Sequence, residues 1–382
     1  MRSMRVLHLG KYYDPYMGGI ETHLSMLCMG LLESHEPEAL VCNTGRRTVH
    51  ETVGGVRVTR AGAWARAFST DFTPALVTEL SSRSYDVLHL HTPNPMGMLA
   101  YVMARKPRDH HLVVTHHSDV VRQVRMRRWL EPLFSRVMFR ADVILATSPN
   151  YAATSRELAP HRERVRVIPY GIDLDPYLSP DYASAAKELR SRFGQRVVLA
   201  VGRLIYYKGF EVLLDAMARI DAHLVIVGDG PLRQSLEKRA GELAIAQRVT
   251  FAGEVHQKDM PAWYRAADVF AFPSVARSEA FGIVQLEAMA SRVAVVNTSL
   301  DSGVPFVSLN GETGLTVPPL NPSALAEALE SLLSDAAWRA RLGAAGRERA
   351  AAMFSKQRML RAHEELYQEL ARARPRVRAN AA

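Results

Sequence analysis

Short apolar runs and amphipathic helical stretches alternate along nearly the whole chain, and this alternation limits the possible folds more than any other feature. Apolar strands separated by helical segments build parallel sheets with crossover helices. In the first half the strand candidates are Arg5–Leu9, Ala39–Asn43, Val56–Arg60, Asp86–His91, Leu112–Thr115, Val143–Ala146 and Val165–Ile168. A second series runs Val197–Val201, Leu224–Val227, Val249–Phe251, Val269–Phe272 and Val293–Asn297. The expected class is α/β, with two Rossmann-like parallel-sheet domains.

Between the series lies Pro169-Tyr170-Gly171-Ile172-Asp173-Leu174-Asp175-Pro176, whose prolines and glycine read as a linker. The first domain is therefore placed at 1–175 and the second at 176–358. The 382 residues are 48% hydrophobic and 23% charged, enough for two ordinary domains and unlike a disordered or fibrous chain. Arg372, Arg374, Arg376 and Arg378 surround Pro375, so 376–382 reads as a solvated basic tail. The two cysteines, Cys28 and Cys42, are too few for a disulfide framework and suit a reducing cytosol. Val6-Leu7-His8-Leu9 is too short for a signal peptide, and no stretch reaches the roughly 18 apolar residues of a membrane span. A formal charge of +9 favours nucleotides, nucleic acid or acidic lipid as partners without choosing among them.

Two strand exits carry similar chemistry. After Gly10 comes a loop ending in Gly18-Gly19, then a helix with Ile20, Leu24, Leu27 and Leu31 on one face. A strand, a glycine loop and a helix can aim backbone N–H groups at a phosphate, although a plain turn has the same composition. In the second domain Val197–Val201 runs into Gly202-Arg203-x4-Lys208-Gly209. Two cations there can neutralise a diphosphate leaving group, whereas an isolated surface pair would only be solvated. Val227-Gly228-Asp229-Gly230-Pro231 makes a sharp turn at the carboxyl edge of the sheet, where open α/β sheets bind ligands.

The most specific stretch is Ser278-Glu279-Ala280-Phe281-Gly282-Ile283-Val284-Gln285-Leu286-Glu287-Ala288-Met289-Ala290. Glu287 falls inside an apolar helix, where a carboxylate is costly unless hydrogen-bonded; a ribose diol offers two donors. Glu279, in the loop before that helix, can accept from sugar hydroxyls. The plainer alternatives are an exposed helical glutamate and a capping acid.

Thr115-His116-His117-Ser118-Asp119 ends a first-domain strand. Its histidines suit a sugar hydroxyl or a metal, but spacing supplies no third ligand, and an internally satisfied histidine is the commoner case. Asp173-Leu174-Asp175 matches D-x-D but lies in the linker and reads as turn chemistry. Arg122, Arg125, Arg127, Arg128, Arg136 and Arg140 are interleaved with Trp129, Leu133 and Phe134. The segment Arg122–Arg140 suits either an anionic membrane surface or a core helix with a basic outer face. Pro132 is expected to split it into two helices.

Together these motifs resemble glycosyltransferase family 4, the retaining transferases of the GT-B fold, in which two such domains face a central cleft. The resemblance rests on Gly18-Gly19-Ile20-Glu21, Thr115-x-His117, Val167-Ile168-Pro169-Tyr170-Gly171-Ile172-Asp173, Gly202-Arg203-x4-Lys208-Gly209, Val227-Gly228-Asp229-Gly230-Pro231 and the Glu279/Glu287 pair. It implies that Glu287 holds the ribose and Glu279 the transferred sugar. Arg203 and Lys208 would bind the diphosphate, Gly19 would face the distal phosphate and His117 the hexose. Gly18, Gly202, Gly228, Asp229, Gly230, Phe281, Gly282 and Ile283 would complete the donor site. It also implies that no metal or other cofactor is needed and that a final helix, 359–375, returns to the first domain. His117-Ser118-Asp119-Val120-Val121-Arg122-Gln123 is similar to the bacterial subgroup that builds surface polysaccharides, which includes mannosyltransferases. The family usually has small-Gly-x-Pro-Val after the second glutamate's helix, where this chain has Ala290-Ser291-Arg292-Val293-Ala294-Val295; the change concerns a turn beside a strand, not the site.

The resemblance implies a hexose, of mannose or glucose type, moved from a GDP- or UDP-sugar to a glycan or lipid-linked acceptor. The expected location is cytoplasmic, peripheral at the inner face of the plasma membrane if the basic segment binds lipid, with no nucleic-acid partner. A sugar-nucleotide epimerase of the same fold and a non-catalytic nucleotide-sugar binder are the alternatives. A dinucleotide dehydrogenase is disfavoured because neither opening strand is followed by G-x-G-x-x-G.

Overall fold

A computed structural model describes residues 3–16, 18–67, 70–119 and 124–373; the basic tail 376–382 lies outside them. The chain forms two compact units, Met1–Tyr170 with Gln357–Ala382, and Gly171–Lys356.

The first unit carries β1 (Arg5–Leu9), β2 (Glu36–Cys42), β3 (Val49–Val53), β4 (Val56–Ala61), a small hairpin of β5 (Ala65–Ala67) and β6 (Thr70–Phe72), then β7 (Val87–Thr92), β8 (His111–His116), β9 (Val143–Ala146) and β10 (Val165–Val167). The main sheet has the order β10-β9-β8-β7-β1-β2-β4-β3. Its strands are parallel except β3, which closes the edge antiparallel to β4. Odd and even residues face opposite layers, as the pleat requires. Leu7, Leu9, Leu88 and Leu90 pack under the helices Ala75–Ser81, Pro95–Met103 and Val124–Arg140. Val6, Val87, Val113 and Leu145 pack with Leu27 of the helix Gly19–Gly30 and with Leu366, Tyr367 and Leu370 of the helix Lys356–Arg372. The last helix is thus part of the first unit's core.

The second unit carries β11 (Val197–Val201), β12 (His223–Val227), β13 (Val249–Gly253), β14 (Val269–Ala271), β15 (Ala294–Thr298) and β16 (Gly314–Val317). The order is β13-β12-β11-β14-β15-β16, all parallel. The order reverses at β11, so its exit opens where strands diverge on either side, the usual ligand-binding position in such sheets.

One expectation is corrected here. Pro132 does not divide its segment: one helix runs Val124–Arg140 through it. The proline costs one intrahelical hydrogen bond, while Val137 and Met138 are fully buried and Leu133 and Phe134 pack against the core, holding the flanking turns in line. The altered family turn is also intact. Arg292 takes the glycine position in a left-handed conformation, φ 61°, and the helix Ile283–Ala290 closes with Arg292 N–H donating to Met289 and Val293 N–H to Ala288.

Candidate active site

The loops leaving β11 and β14 are bound together. The Val275 N–H donates to the Tyr207 carbonyl at 2.8 Å, and the Tyr206 and Ser278 hydroxyls lie 3.3 Å apart. This contact brings together two of the separated motifs. Lys208 Nζ reaches Glu279 Oε2 at 2.5 Å, with both side chains largely buried. The ammonium also sits 5.1 Å from the Phe272 ring centre, where a cation is attracted by the aromatic face. Glu279 is further fixed by Ser274, whose hydroxyl donates to it at 3.3 Å. Arg203 is exposed on the same loop, with its charge felt at Tyr207.

The β11 and β12 exits touch backbone to backbone. Gly228 has φ 124°, and a Cβ on it would lie 2.2 Å from the Gly202 carbonyl oxygen. Only a residue without Cβ allows the approach and the dihedral together. The Leu204 N–H then donates to the Asp229 carbonyl at 2.9 Å, and the Asp229 carboxylate accepts from the Gly230 N–H at 2.6 Å. Gly282, φ 79°, precedes the helix at a point where a Cβ would strike the Phe272 ring at 2.5 Å. Phe281 beside it is buried edge-on against Phe354, and Ile283 begins the helix half-buried.

Glu287 is buried, not exposed. Its Oε2 accepts from the Tyr264 hydroxyl at 2.7 Å and its Oε1 from the Gln257 amide at 3.0 Å. Burial raises its pKa above the ordinary glutamate value, and the donors Tyr264, Gln257 and Tyr177 pull it back only in part.

In the first unit, Gly18 precedes the helix Gly19–Gly30 without a side-chain cap, and Gly19 is exposed at its first turn. His116 and His117 diverge. His116 Nε2 lies 3.1 Å from Glu157 and 3.4 Å from Asp119. Burial opposes its charge, but the two carboxylates outweigh it and raise the pKa. Asp119, despite burial, is drawn down to about 2, with His116 and Ser155 the leading causes. His117 Nε2 lies 2.9 Å from His91 Nδ1, and its Nδ1 meets the Tyr170 hydroxyl. Burial, followed by His91, drives its pKa well below the ordinary value. His117 is therefore neutral, with both ring nitrogens engaged inside this unit. Asp173 accepts from the Asp175 N–H at 3.2 Å, an Asx turn, as its linker position suggests.

Residues 17–176 match the family described as Glycosyltransferase Family 4, and residues 183–349 match Glycosyl transferases group 1. The chain is 35% identical over 342 residues to the D-rhamnosyltransferase WbpZ of Pseudomonas aeruginosa, covering 86% of each protein. The chain belongs to glycosyltransferase family 4. This family-4 transferase is also 31% identical to the O-antigen chain mannosyltransferase C of Escherichia coli, over 96% of this chain and 99% of that one. Its fold matches sucrose-phosphate synthase from Thermosynechococcus elongatus with TM-score 0.83 and 25% identity, over 97% and 100% of the two chains. HepE of Anabaena, in complex with UDP, matches with TM-score 0.77 and 21% identity, over 96% and 100%. The fold is GT-B, and the activity that membership carries is glycosyl transfer, not epimerisation or binding alone.

Several residues around the family-4 motifs had no signal in the sequence. Tyr264, Gln257 and Tyr177 converge on Glu287, where the Gln257 amide also donates to the Tyr177 hydroxyl. Gln285, inside the most specific motif, is fully buried and donates to the Phe281 carbonyl at 3.0 Å, while Asn297 donates to Gln285 at 2.9 Å. The pair fixes the loop between the two glutamates. Glu157 reaches His116 from a stretch of no recognisable pattern.

Proposed function

We propose that this transferase moves a hexose of mannose type, with retention, from a GDP-sugar to a glycan or lipid-linked acceptor in bacterial surface-polysaccharide synthesis. The observation that carries the reading is the Lys208–Glu279 pair at 2.5 Å beside the β11 exit. It sets a cation for departing diphosphate next to a carboxylate for sugar hydroxyls. Arg203 supplies a second charge, and these cations take the place of a metal. Charge accumulates on the diphosphate as the glycosidic bond breaks, so fixed cations act most strongly in the transition state. The acceptor then attacks on the face the diphosphate leaves. Glu287 accepts from the ribose, while Gly202, Gly228 and Gly230 let the nucleotide approach the backbone. Gly19 and His117 are assigned to the distal phosphate and the hexose, respectively. The guanine and mannose choices rest on relatives: the mannosyltransferase above, and a GDP-mannose-dependent phosphatidylinositol monomannoside mannosyltransferase of Mycolicibacterium smegmatis that is 27% identical.

We also assign the basic helix to an anionic membrane surface on the cytoplasmic side. No described helix is long and apolar enough to cross a membrane. Phe139 is 74% exposed on that helix between Arg136 and Arg140; Arg122 and the side chains of Arg125, Arg127 and Arg128 lie outside the described residues. Each basic residue near such a surface contributes about 1 kcal/mol.

Thermal shifts with GDP, UDP, ADP and their hexose conjugates test the donor. A bound ligand raises the midpoint according to its affinity, so GDP and GDP-mannose should give the largest shifts. A larger shift with UDP-sugars would overturn the guanine choice, and no shift with any nucleotide would overturn the donor site itself.

A further inference from the structure

One face of the first unit's sheet changes character along its strands. At the amino ends of β1, β7 and β8 the residues facing the helices Gly19–Gly30 and Lys356–Arg372 are Val6, Val87 and Val113. Towards the carboxyl ends, the same pleat positions hold His8, His89, His91, Thr115 and His117. His8 and His89 are direct partners in the parallel register. His91 follows two residues on, so all three imidazoles stand on one face. The covering helices add His23 and His363 to the same layer. Each of these histidines is buried.

A buried parallel-sheet face is ordinarily aliphatic, and a buried polar ring is costly unless its nitrogens are used. Here the usage is incomplete. His8 Nε2 and both ring nitrogens of His23 have no hydrogen-bond partner among the described residues. An imidazole nitrogen that carries no proton offers the lone pair that metals bind.

We propose that His8, His89 and His91 form a binding site for a transition-metal ion of the zinc class. One nitrogen from each lies within 4.8 Å of the other two. His8 Nδ1 and His91 Nε2 are 3.2 Å apart, close to the about 3.4 Å that two imidazole nitrogens span across a tetrahedral zinc. Outer partners are also in place, as liganding histidines require. His91 Nδ1 meets His117 at 2.9 Å, while His89 has the Tyr367 hydroxyl and the Thr115 hydroxyl at 2.6 Å on its two nitrogens, one of which an ion would displace. Three imidazoles without thiolate or carboxylate select zinc, copper or nickel over magnesium and calcium. The fourth position is left to water. This site lies in the first unit, whereas Arg203, Lys208 and Glu279 belong to the second; the ion is proposed as a resident of the first unit, one hydrogen bond from His117, and not as a ligand of the diphosphate.

The test uses the untagged full chain, stripped with chelator and titrated with Zn²⁺ and Co²⁺. The expected result is one tightly held ion per chain, a Co²⁺ adduct with the intense visible absorption of a four-coordinate nitrogen site, and a rise of several degrees in thermal midpoint. Affinity should fall at least tenfold in His8→Asn and His89→Gln. It should be unchanged in Glu157→Gln, which disables the other buried donor group, His116–Asp119–Glu157. Retained affinity in both histidine variants overturns the assignment, as does loss in Glu157→Gln. If the histidine variants do not fold, the wild-type Co²⁺ spectrum decides, and a weak six-coordinate spectrum or no uptake overturns it.

Discussion

Replacing Glu287 by glutamine tests the nucleotide orientation most directly. The carboxylate has about four lone-pair sites. Tyr264 and Gln257 occupy one on each oxygen at 2.7 and 3.0 Å, and Tyr177 also donates to it. That leaves room for one ribose hydroxyl, not a full diol. Glutamine keeps one acceptor oxygen and turns its NH2 towards a protein donor. Two costs follow. The free protein loses a hydrogen bond to a buried charge, about 1.5–3 kcal/mol, and the complex loses a second of the same kind. Nucleoside diphosphate affinity should therefore fall about 10- to 150-fold. Calorimetric titration of wild type and variant with GDP and its 2′- and 3′-deoxy forms gives the coupling. One deoxy form should bind wild type poorly and the variant almost as well as GDP does. Tyr264→Phe is the control: it should lower stability by about 1–3 kcal/mol without weakening nucleotide, because it frees a lone pair. pH adds an independent sign. The folded pKa of Glu287 is raised, so the folded state takes up its proton first as pH falls. Wild type should gain on Glu287→Gln from the raised folded value down to the unfolded one near about 4.3. Zero coupling with both deoxy forms would refute the assignment of Glu287 to the ribose.

Other outcomes follow from the same geometry. Arg203→Ala should lower turnover about 10²–10³-fold with guanosine binding unchanged, measured by steady-state transfer; near-native turnover removes Arg203 from the site. Lys208→Ala leaves Glu279 buried and unpaired and should cost about 3–5 kcal/mol in urea unfolding, whereas Lys208→Met with Glu279→Gln should cost less than the single change; additive losses would mean the pair is not coupled. Arg292→Gly relieves a left-handed backbone worth about 1–2 kcal/mol, less the greater unfolded entropy of glycine, and should raise the second unit's calorimetric midpoint by a few degrees; a lower midpoint contradicts it. Gly228→Ala drives a Cβ to 2.2 Å from the Gly202 carbonyl, and should push the β11 and β12 exits apart, lowering both thermal midpoint and nucleotide affinity; an unchanged midpoint would show that the exits can yield.

The interior of the fold was readable because interior strands must be apolar. Arg5–Leu9, Val143–Ala146 and Val197–Val201 coincide with observed strands; the last two are continuous hydrophobic runs, and the first is apolar apart from Arg5 and His8. The edges were not. β3 is Val-His-Glu-Thr-Val and almost wholly exposed, since an antiparallel edge strand has little to bury, and β16 is only four residues with a half-buried middle. Pro132 misled because proline propensity is local and the apolar face that overrides it is tertiary. At the site, spacing could point to Glu279 and Glu287 but not to their partners. Lys208 meets Glu279 from 71 residues away along the chain, and Tyr264 reaches Glu287 from another helix. Three-dimensional proximity of this kind leaves no periodicity. The histidine face was half visible: His89-x-His91 implies a shared face, but His8, His23 and His363 join it only through sheet register and helix packing.

The helix Lys356–Arg372 has a consequence for how the protein is made. Domains generally fold as units, the amino-terminal one first as the chain emerges. Here the order is reversed. By the time Lys356 has been synthesised every residue of the second unit exists, and it can close. The first unit began earlier but must wait, because the layer over Met4, Val6 and Leu27 is sealed by Leu366, Tyr367 and Leu370. Until that helix emerges, the nascent sheet presents an uncovered apolar face together with its histidine cluster, and packing of the helix buries both. A stop codon near residue 356 would leave a chain with an intact second unit and a first unit permanently open to chaperones and proteases.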